Sequence, residues 1–277
     1  MIVQNLHLLA DSGPTVFITP LQIFKFHGIS ITNSMLYGWV SALIILSVLI
    51  LVARRMTIRP KGGFTQIVEA GTDFITNLVV NSFEDRERGK KYVPYFVTLF
   101  FFILFNNWLG LLPGVGEAVT YNGVPFLRPF TGDFNATLAA GVVTMGLVYV
   151  SSIREAGLKD YFGHFFTGNI RNPITILVGL LEMFTDLTRV FSLSIRLFLN
   201  VTIGEIVIAV FSYLGHIAAP ISAAPFTAIE LFVGALQAYI FVILGVMYLA
   251  IAVNHATEAH LTEGSVPETM GLTPEEA

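Results

Sequence analysis

Apolar residues in this chain fall into long runs broken by short polar clusters. Residues 35–53, 92–112 and 134–152 each supply close to 20 mostly apolar positions, and the runs at 172–214 and 225–254 are longer. About 20 residues of helix cross roughly 30 Å of hydrocarbon, so the pattern predicts membrane helices. Residues 64–83 follow a different rule. Phe64, Ile67, Val68, Gly71, Phe74, Ile75 and Leu78 recur at helical spacing, while Gln66, Glu69, Asp73 and Asn77 fall elsewhere. That pattern predicts an amphipathic helix lying on the membrane surface. The alternative, a helix packed on a soluble core, lacks a soluble domain to pack on.

The run at 172–214 is about 43 residues, or roughly 65 Å of helix at 1.5 Å per residue. Two separate spans would need a turn in the middle, yet residues 184–203 hold neither proline nor glycine. One steeply tilted helix is therefore expected, with 225–254 as its antiparallel partner. Boundary signals fit the runs. Pro94 is expected to open the second span, Asp133 to cap the third, and Asn172-Pro173 to start the long helix. Pro220 and Pro225 punctuate the last turn, and the Gly- and Pro-rich stretch 113–132 is a loop.

The expected fold is an all-α integral membrane protein of about five membrane helices, an amphipathic surface helix and a long tilted C-terminal hairpin. Its segments are 1–33 outside the cytoplasm, 34–53 as first span and 64–83 as interfacial helix. Residues 92–152 form a hairpin with its loop, 172–254 the long hairpin and 255–277 a cytoplasmic tail.

Composition agrees: 54% of the 277 residues are hydrophobic and 12% charged, against about 25% charged in soluble domains. With no cysteine, disulfides and thiolate metal sites are excluded. Residues 1–33 lack both a basic start and an apolar core, so a cleavable signal is not expected. Arg54, Arg55, Arg59 and Lys61 follow the first span, Arg86, Arg88, Lys90 and Lys91 precede the second, and Arg154, Lys159 and Arg171 follow the third. The opposite loops hold only Lys25 and Arg128. The positive-inside rule then puts the N-terminus outside and the C-terminus in the cytoplasm, provided 64–83 does not cross.

Candidate chemistry lies on the long hairpin. A guanidinium at a membrane-helix centre costs about 2.5–3.5 kcal/mol even on the milder scale, so Arg196 needs an anion, and no nearby acid in sequence pairs with it fully. At 100° per residue, Glu182, Asp186, Arg189, Ser192, Arg196 and Asn200 line one face, and Glu205 points to another neighbour. Glu230, Gln237 and Tyr248 share a face of the partner helix. Each has a plainer reading. Glu182, Asp186 and Arg189 sit where charges pair or hydrate, Ser192 can bond its own backbone, and Asn200 and Gln237 can be ordinary interhelical bonds. Arg196, Glu205 and Glu230 resist such readings, because intramembrane ionisable groups are functional by default. His255, Glu258 and His260 have no metal-site spacing and read as a polar tail. Asn135-Ala-Thr137 fits a glycosylation sequon but reads as local capping. No nucleotide-binding or nucleophile motif occurs, so no cofactor, metal or nucleic acid is expected.

The run Ser192-x-x-x-Arg196-Leu-Phe-x-Asn200-x-x-x-Gly204-Glu205, with Glu230 and Leu236-Gln237-Ala238-Tyr239-Ile240-Phe241, resembles subunit a of the bacterial F-type ATP synthase. Asn107-Trp108-Leu109-Gly110, Asp133-Phe-Asn135-Ala-Thr137 and Asn172-Pro173 extend the likeness over most of the chain. The resemblance implies a non-catalytic stator subunit of the bacterial plasma membrane. It would move ions, by default protons, through two offset half-channels against a rotating c-ring. Its partners would be that ring, peripheral-stalk subunit b, the remaining F1Fo complex and lipid. By the same likeness Arg196 faces the ring carboxylate, Asn200 and Gln237 are its polar neighbours, Ser192 lies near the inner path, and Glu205 and Glu230 line the outer one. Two glutamates there suggest a shared-proton relay. Three positions depart from the common pattern: Glu230 replaces a frequent histidine, Val190 a proline and Leu199 a glycine. A secondary transporter would show internal repeats, and an intramembrane hydrolase a nucleophile–base or metal set; neither is apparent.

Overall fold

The computed structural model describes residues 22–26, 29–55, 63–112, 115, 120–121, 124–125, 128–156, 173–215 and 218–263. Helices dominate them. In chain order these are α1 (Asn33–Arg55), α2 (Gly63–Ser82), α3 (Arg86–Gly110), α4 (Phe134–Ala156), α5 (Pro173–Gly215) and α6 (Ala219–Glu263). All but α2 contain a stretch long and apolar enough to cross a membrane. Two small antiparallel hairpins precede or interrupt them: β1 (Gln22–Phe26) with β2 (Ile29–Thr32), and β3 (Thr120–Tyr121) with β4 (Val124–Pro125). The sequence pattern did not reveal either hairpin: β3 and β4 have 2 residues each, and β1 and β2, with 5 and 4, stand at the short end of the roughly 4–8 residues over which alternation signals a strand.

The 43-residue α5 is one continuous helix starting at Pro173, as its uninterrupted centre predicts. Two boundaries move. Helix α3 begins at Arg86, eight residues before Pro94, because the Asp85 carboxylate accepts the Glu87 amide at 2.9 Å and supplies the cap. Pro94 then lies inside the helix and forgoes only one backbone bond. Helix α6 begins at Ala219 rather than at 225 and continues to Glu263, so part of the expected tail is helical. The side chains of His255, Glu258 and His260, and those of Glu182 and Asp186, lie outside the described residues, as does Asn172.

A shared core forms where α3, α4, α5 and α6 meet, with Phe96, Ile103, Met145, Leu197, Phe241 and Val246 essentially without exposure. Helix α2 runs antiparallel along α3. Gly89 approaches Val80 and Phe83 near the turn, and Gly71 approaches the Phe101 ring further along. Val68, Ile75 and Val79 fill that seam, while Phe64, Ile67 and Phe74 stay exposed on other sides. The helix thus finds a membrane-helix partner rather than the soluble core that the sequence lacks.

Consecutive polar residues of α3 tie it in two directions. Asn106 accepts from Ser41 of α1 at 2.7 Å. Asn107 donates to the Gly234 carbonyl at 3.1 Å, and Trp108 Nε1 to the Leu231 carbonyl at 3.0 Å, both on α6. At the base of α4, Asp133 accepts from Ser34 and from the Asn135 amide, and Thr137 Oγ1 donates to the Phe134 carbonyl. The Asn135–Thr137 pattern therefore serves capping. Trp108→Phe keeps a six-membered aromatic ring and loses the pyrrole part of the indole with its N–H donor. It is expected to lower the unfolding free energy in detergent by at least about 1 kcal/mol, an interhelical bond plus the lost ring packing; equilibrium unfolding checks this, and an unchanged value would show the contact to be idle.

Candidate functional site

The hairpin of α5 and α6 is pinned by contacts along its length. Near the connection Phe211 stacks on Phe226 at 3.8 Å, and Ser222 donates to the Phe211 carbonyl at 2.7 Å. Midway, the Glu230 carboxylate lies directly on Gly204, where an added Cβ would collide with it. Further along, the Arg189 guanidinium sits 4.8 Å over the Tyr248 ring, a cation–π contact between the two helices. The antiparallel register set by these contacts brings Gln237 level with the stretch from Leu197 to Asn200.

Gly204 matters because only a residue without Cβ admits the carboxyl at that height. Glu230 thereby lines a cavity of about 210 Å³ together with Asn200, Ile203, Gly204, Val207, Phe226 and others. The nitrogen Nδ2 of Asn200 is buried without a hydrogen bond among the described residues, as is Nε2 of Gln237, whose residue is 6% exposed. A cavity that offers a carboxylate and an amide suits water, which needs two to four polar partners.

Glu205, one residue on, turns to another side. It faces the 3₁₀ turn Phe130–Gly132, where a Cβ on Gly132 would lie 3.5 Å from its Oε1. That turn is wedged among four helices. Its Phe130 ring packs so closely on Gly38 of α1 that a Cβ there would overlap it, Phe130 also meets Phe102 of α3 edge-on, and Pro129 packs on Gly110. Arg128, only 5% exposed, donates from Nη2 to the Gly132 carbonyl at 2.8 Å. Burial pushes its guanidinium below the usual arginine range, while the charges of Glu205 and Asp133 oppose that fall. The charge of Glu205 also reaches Tyr37 of α1. The two glutamates therefore occupy different surroundings, and a proton shared directly between them does not fit this geometry.

Arg196 stands apart from both. It is exposed on the outward face of α5, level with Ile195 and one turn from Ser192 and Asn200. Among the described residues it makes no hydrogen bond or ion pair. Ser192 is likewise exposed, on the same face. Ile195, Leu199 and Ile203 are open beside it, and exposed Thr185 and Thr188 continue the polar edge toward the start of the helix.

Sequence reasoning singled out all six of these polar residues. It missed Arg128 and Gly204 as parts of the arrangement. Arg128 entered only as a loop charge and Gly204 only as a motif letter, though an arginine five residues before a capping aspartate was a usable signal.

Five helices long and apolar enough to cross a membrane, carrying Glu230 in a largely apolar cleft and Arg196 on an exposed face, define a polytopic membrane protein with ionisable groups along its long hairpin. A sequence model of the family described as ATP synthase A chain matches residues 35–250. The chain is 32% identical over 247 residues to ATP synthase subunit a of Myxococcus xanthus, covering 84% of this chain and 76% of that one. It is 33% identical over 279 residues to ATP synthase subunit a 2 of Prosthecochloris aestuarii, covering 94% and 81%. Against ATP synthase subunit a of Syntrophobacter fumaroxidans the figures are 32% over 258 residues, covering 91% and 97%. The chain belongs to the ATP synthase A chain family, whose members form the ion-translocating part of the enzyme's membrane sector.

Gly204→Val puts a branched side chain where the Glu230 carboxyl lies. Ion pumping by the assembled complex is expected to fall about tenfold or more, since displacing a reacting group by an ångström has effects of that order. Gly146→Ala, with open space around it, serves as control and leaves pumping intact. ATP-driven acidification of inverted vesicles reads both.

Proposed function

We propose that this chain is the stator side of a rotary proton path, with Arg196 meeting a carboxylate carried past it by a ring of small partner subunits. The observation that carries this reading is the exposure of Arg196, without an internal partner among the described residues, midway along the apolar 43-residue helix α5. Facing lipid, a fixed guanidinium is costly. Facing an apolar partner that brings one carboxylate at a time, it is compensated at each passage.

Glu230, Asn200 and Gln237 support an aqueous path from the outer side, and Ser192 supports one from the inner side. A proton entering from outside neutralises a ring carboxylate, which can then travel through lipid where a bare charge would be prohibitive. On reaching the inner path it ionises again. Arg196 favours the ionised form at the interface and, as a permanent positive charge between the two paths, opposes direct leakage. About 2.3 kcal/mol per elementary charge per 100 mV is available to bias the cycle. In this reading the chain has no catalytic site of its own, and ATP is made by the soluble head. Subunit b is its static neighbour. The N-terminus lies outside the bacterial plasma membrane and the C-terminus in the cytoplasm, with α2 along the inner surface and α5 and α6 strongly tilted.

Arg196→Ala is expected to abolish ATP-driven pumping while the complex still assembles. Coupled pumping that survives this change would remove the proposal. Orientation is checked separately, and the absence of native cysteine makes the test clean. In intact cells an impermeant maleimide should label Asn122→Cys and leave Ser265→Cys unlabelled; the opposite pattern inverts the topology.

A further inference from the structure

The carboxylates of Glu205 and Glu230 are neighbours in the motif and strangers in the structure. Glu230 projects over Gly204 into the cavity beside Asn200. Glu205 points the other way, onto the turn Phe130–Gly132, close enough for its charge to act on Arg128. Both groups converge on Gly132: Arg128 Nη2 holds its carbonyl at 2.8 Å, and a Cβ on the glycine would lie 3.5 Å from Glu205 Oε1. Arg128 is 5% exposed and Asp133 is 4% exposed, so this charge cluster is shielded from water to a degree unusual for a loop.

Within the turn, Thr131 Oγ1 is buried without a hydrogen bond among the described residues. Asp133 is occupied by the Asn135 amide and by the Ser34 hydroxyl of α1. Tyr37 of α1 is 6% exposed and feels the Glu205 charge. A carboxylate and a guanidinium enclosed together stabilise one another's charged forms, and removing either leaves the other charged and enclosed.

We propose that Arg128 is a positioning residue for the outer path: it holds Glu205 as a fixed carboxylate against the Phe130–Gly132 turn, leaving proton exchange on that side to Glu230. This rests on the function proposed above and divides its labour. It also accounts for a chain that carries two acids at the outer end. One is balanced by a built-in cation and sets the local field; the other, set over a glycine beside a cavity of about 210 Å³, exchanges the proton.

The test separates charge from bulk at position 128 in the whole ATP synthase. Arg128→Met keeps the length and loses the charge, whereas Arg128→Lys keeps both. ATP-driven pumping per assembled complex is expected to fall about tenfold or more in the methionine variant, at the lower end of measured couplings for close charge pairs. The lysine variant should stay within about threefold of the parent. Equal pumping by the two variants overturns the proposal, because the charge would then be irrelevant. If Arg128→Met does not assemble, Glu205→Gln is added to it. Recovered assembly supports the pair, since the uncompensated carboxylate was the fault, and assembly still lost overturns it. Failure here is distinct from failure of the wider function, which falls only if Arg196→Ala continues coupled pumping.

Discussion

A permanently protonated side chain set in an apolar surface, with nothing of its own chain among the described residues to neutralise it, constrains almost everything else in this protein. The Arg196 guanidinium sits on the outward face of α5 among Phe191, Ile195, Leu199 and Ile203. Such an arrangement is unfavourable in lipid and becomes favourable only when an anion arrives. The helix that carries it is long and uninterrupted, which holds the charge at a fixed place along the hairpin. This 43-residue α5 is backed by α4 and α6. Close approach of α4 is secured at Gly141, which leaves no room for a Cβ against Ser194.

Behind this surface the ionisable groups are sorted rather than pooled. Arg189 rests on Tyr248, Glu205 on the turn that bears Arg128, and Glu230 on Gly204 beside Asn200. Each charge thus has its own environment, set by which helix supplies the opposing residue. Membership of the ATP synthase A chain family gives that sorting a purpose. An ion path needs some groups that exchange and others that stay charged, and separation prevents them from neutralising one another.

Much of this was legible in the sequence, for identifiable reasons. Membrane helices announce themselves by length and composition. The continuity of α5 followed from the lack of proline and glycine over residues 184–203. Arg196 stood out because a cation at that depth is costly wherever it occurs. What stayed hidden depended on which side chain arrives from elsewhere. Nothing in the sequence around Gly204 says that a carboxyl from residue 230 will lie on it. Glu205 and Glu230 looked like candidates to share a proton, yet the face each occupies is fixed by the crossing of helices and by a three-residue turn. The start of α3 was misjudged because Pro94 is a strong helix-start signal, while the cap at Asp85 lies in a polar stretch that hydropathy discounts. The strands before α1 were missed because they are only 5 and 4 residues long.

The double tether from Asn107 and Trp108 to the carbonyls of Gly234 and Leu231 has a mechanical meaning. Two bonds one helical turn apart resist both sliding of α6 along its axis and twisting about it. Glu230 immediately precedes this clamped turn, and Gln237 lies within a turn beyond it. A sideways load on the hairpin would pass through α3 into the Asn106–Ser41 bond and so to α1. Elastic give during operation must then reside outside this part of the molecule, which behaves as an anvil rather than a spring.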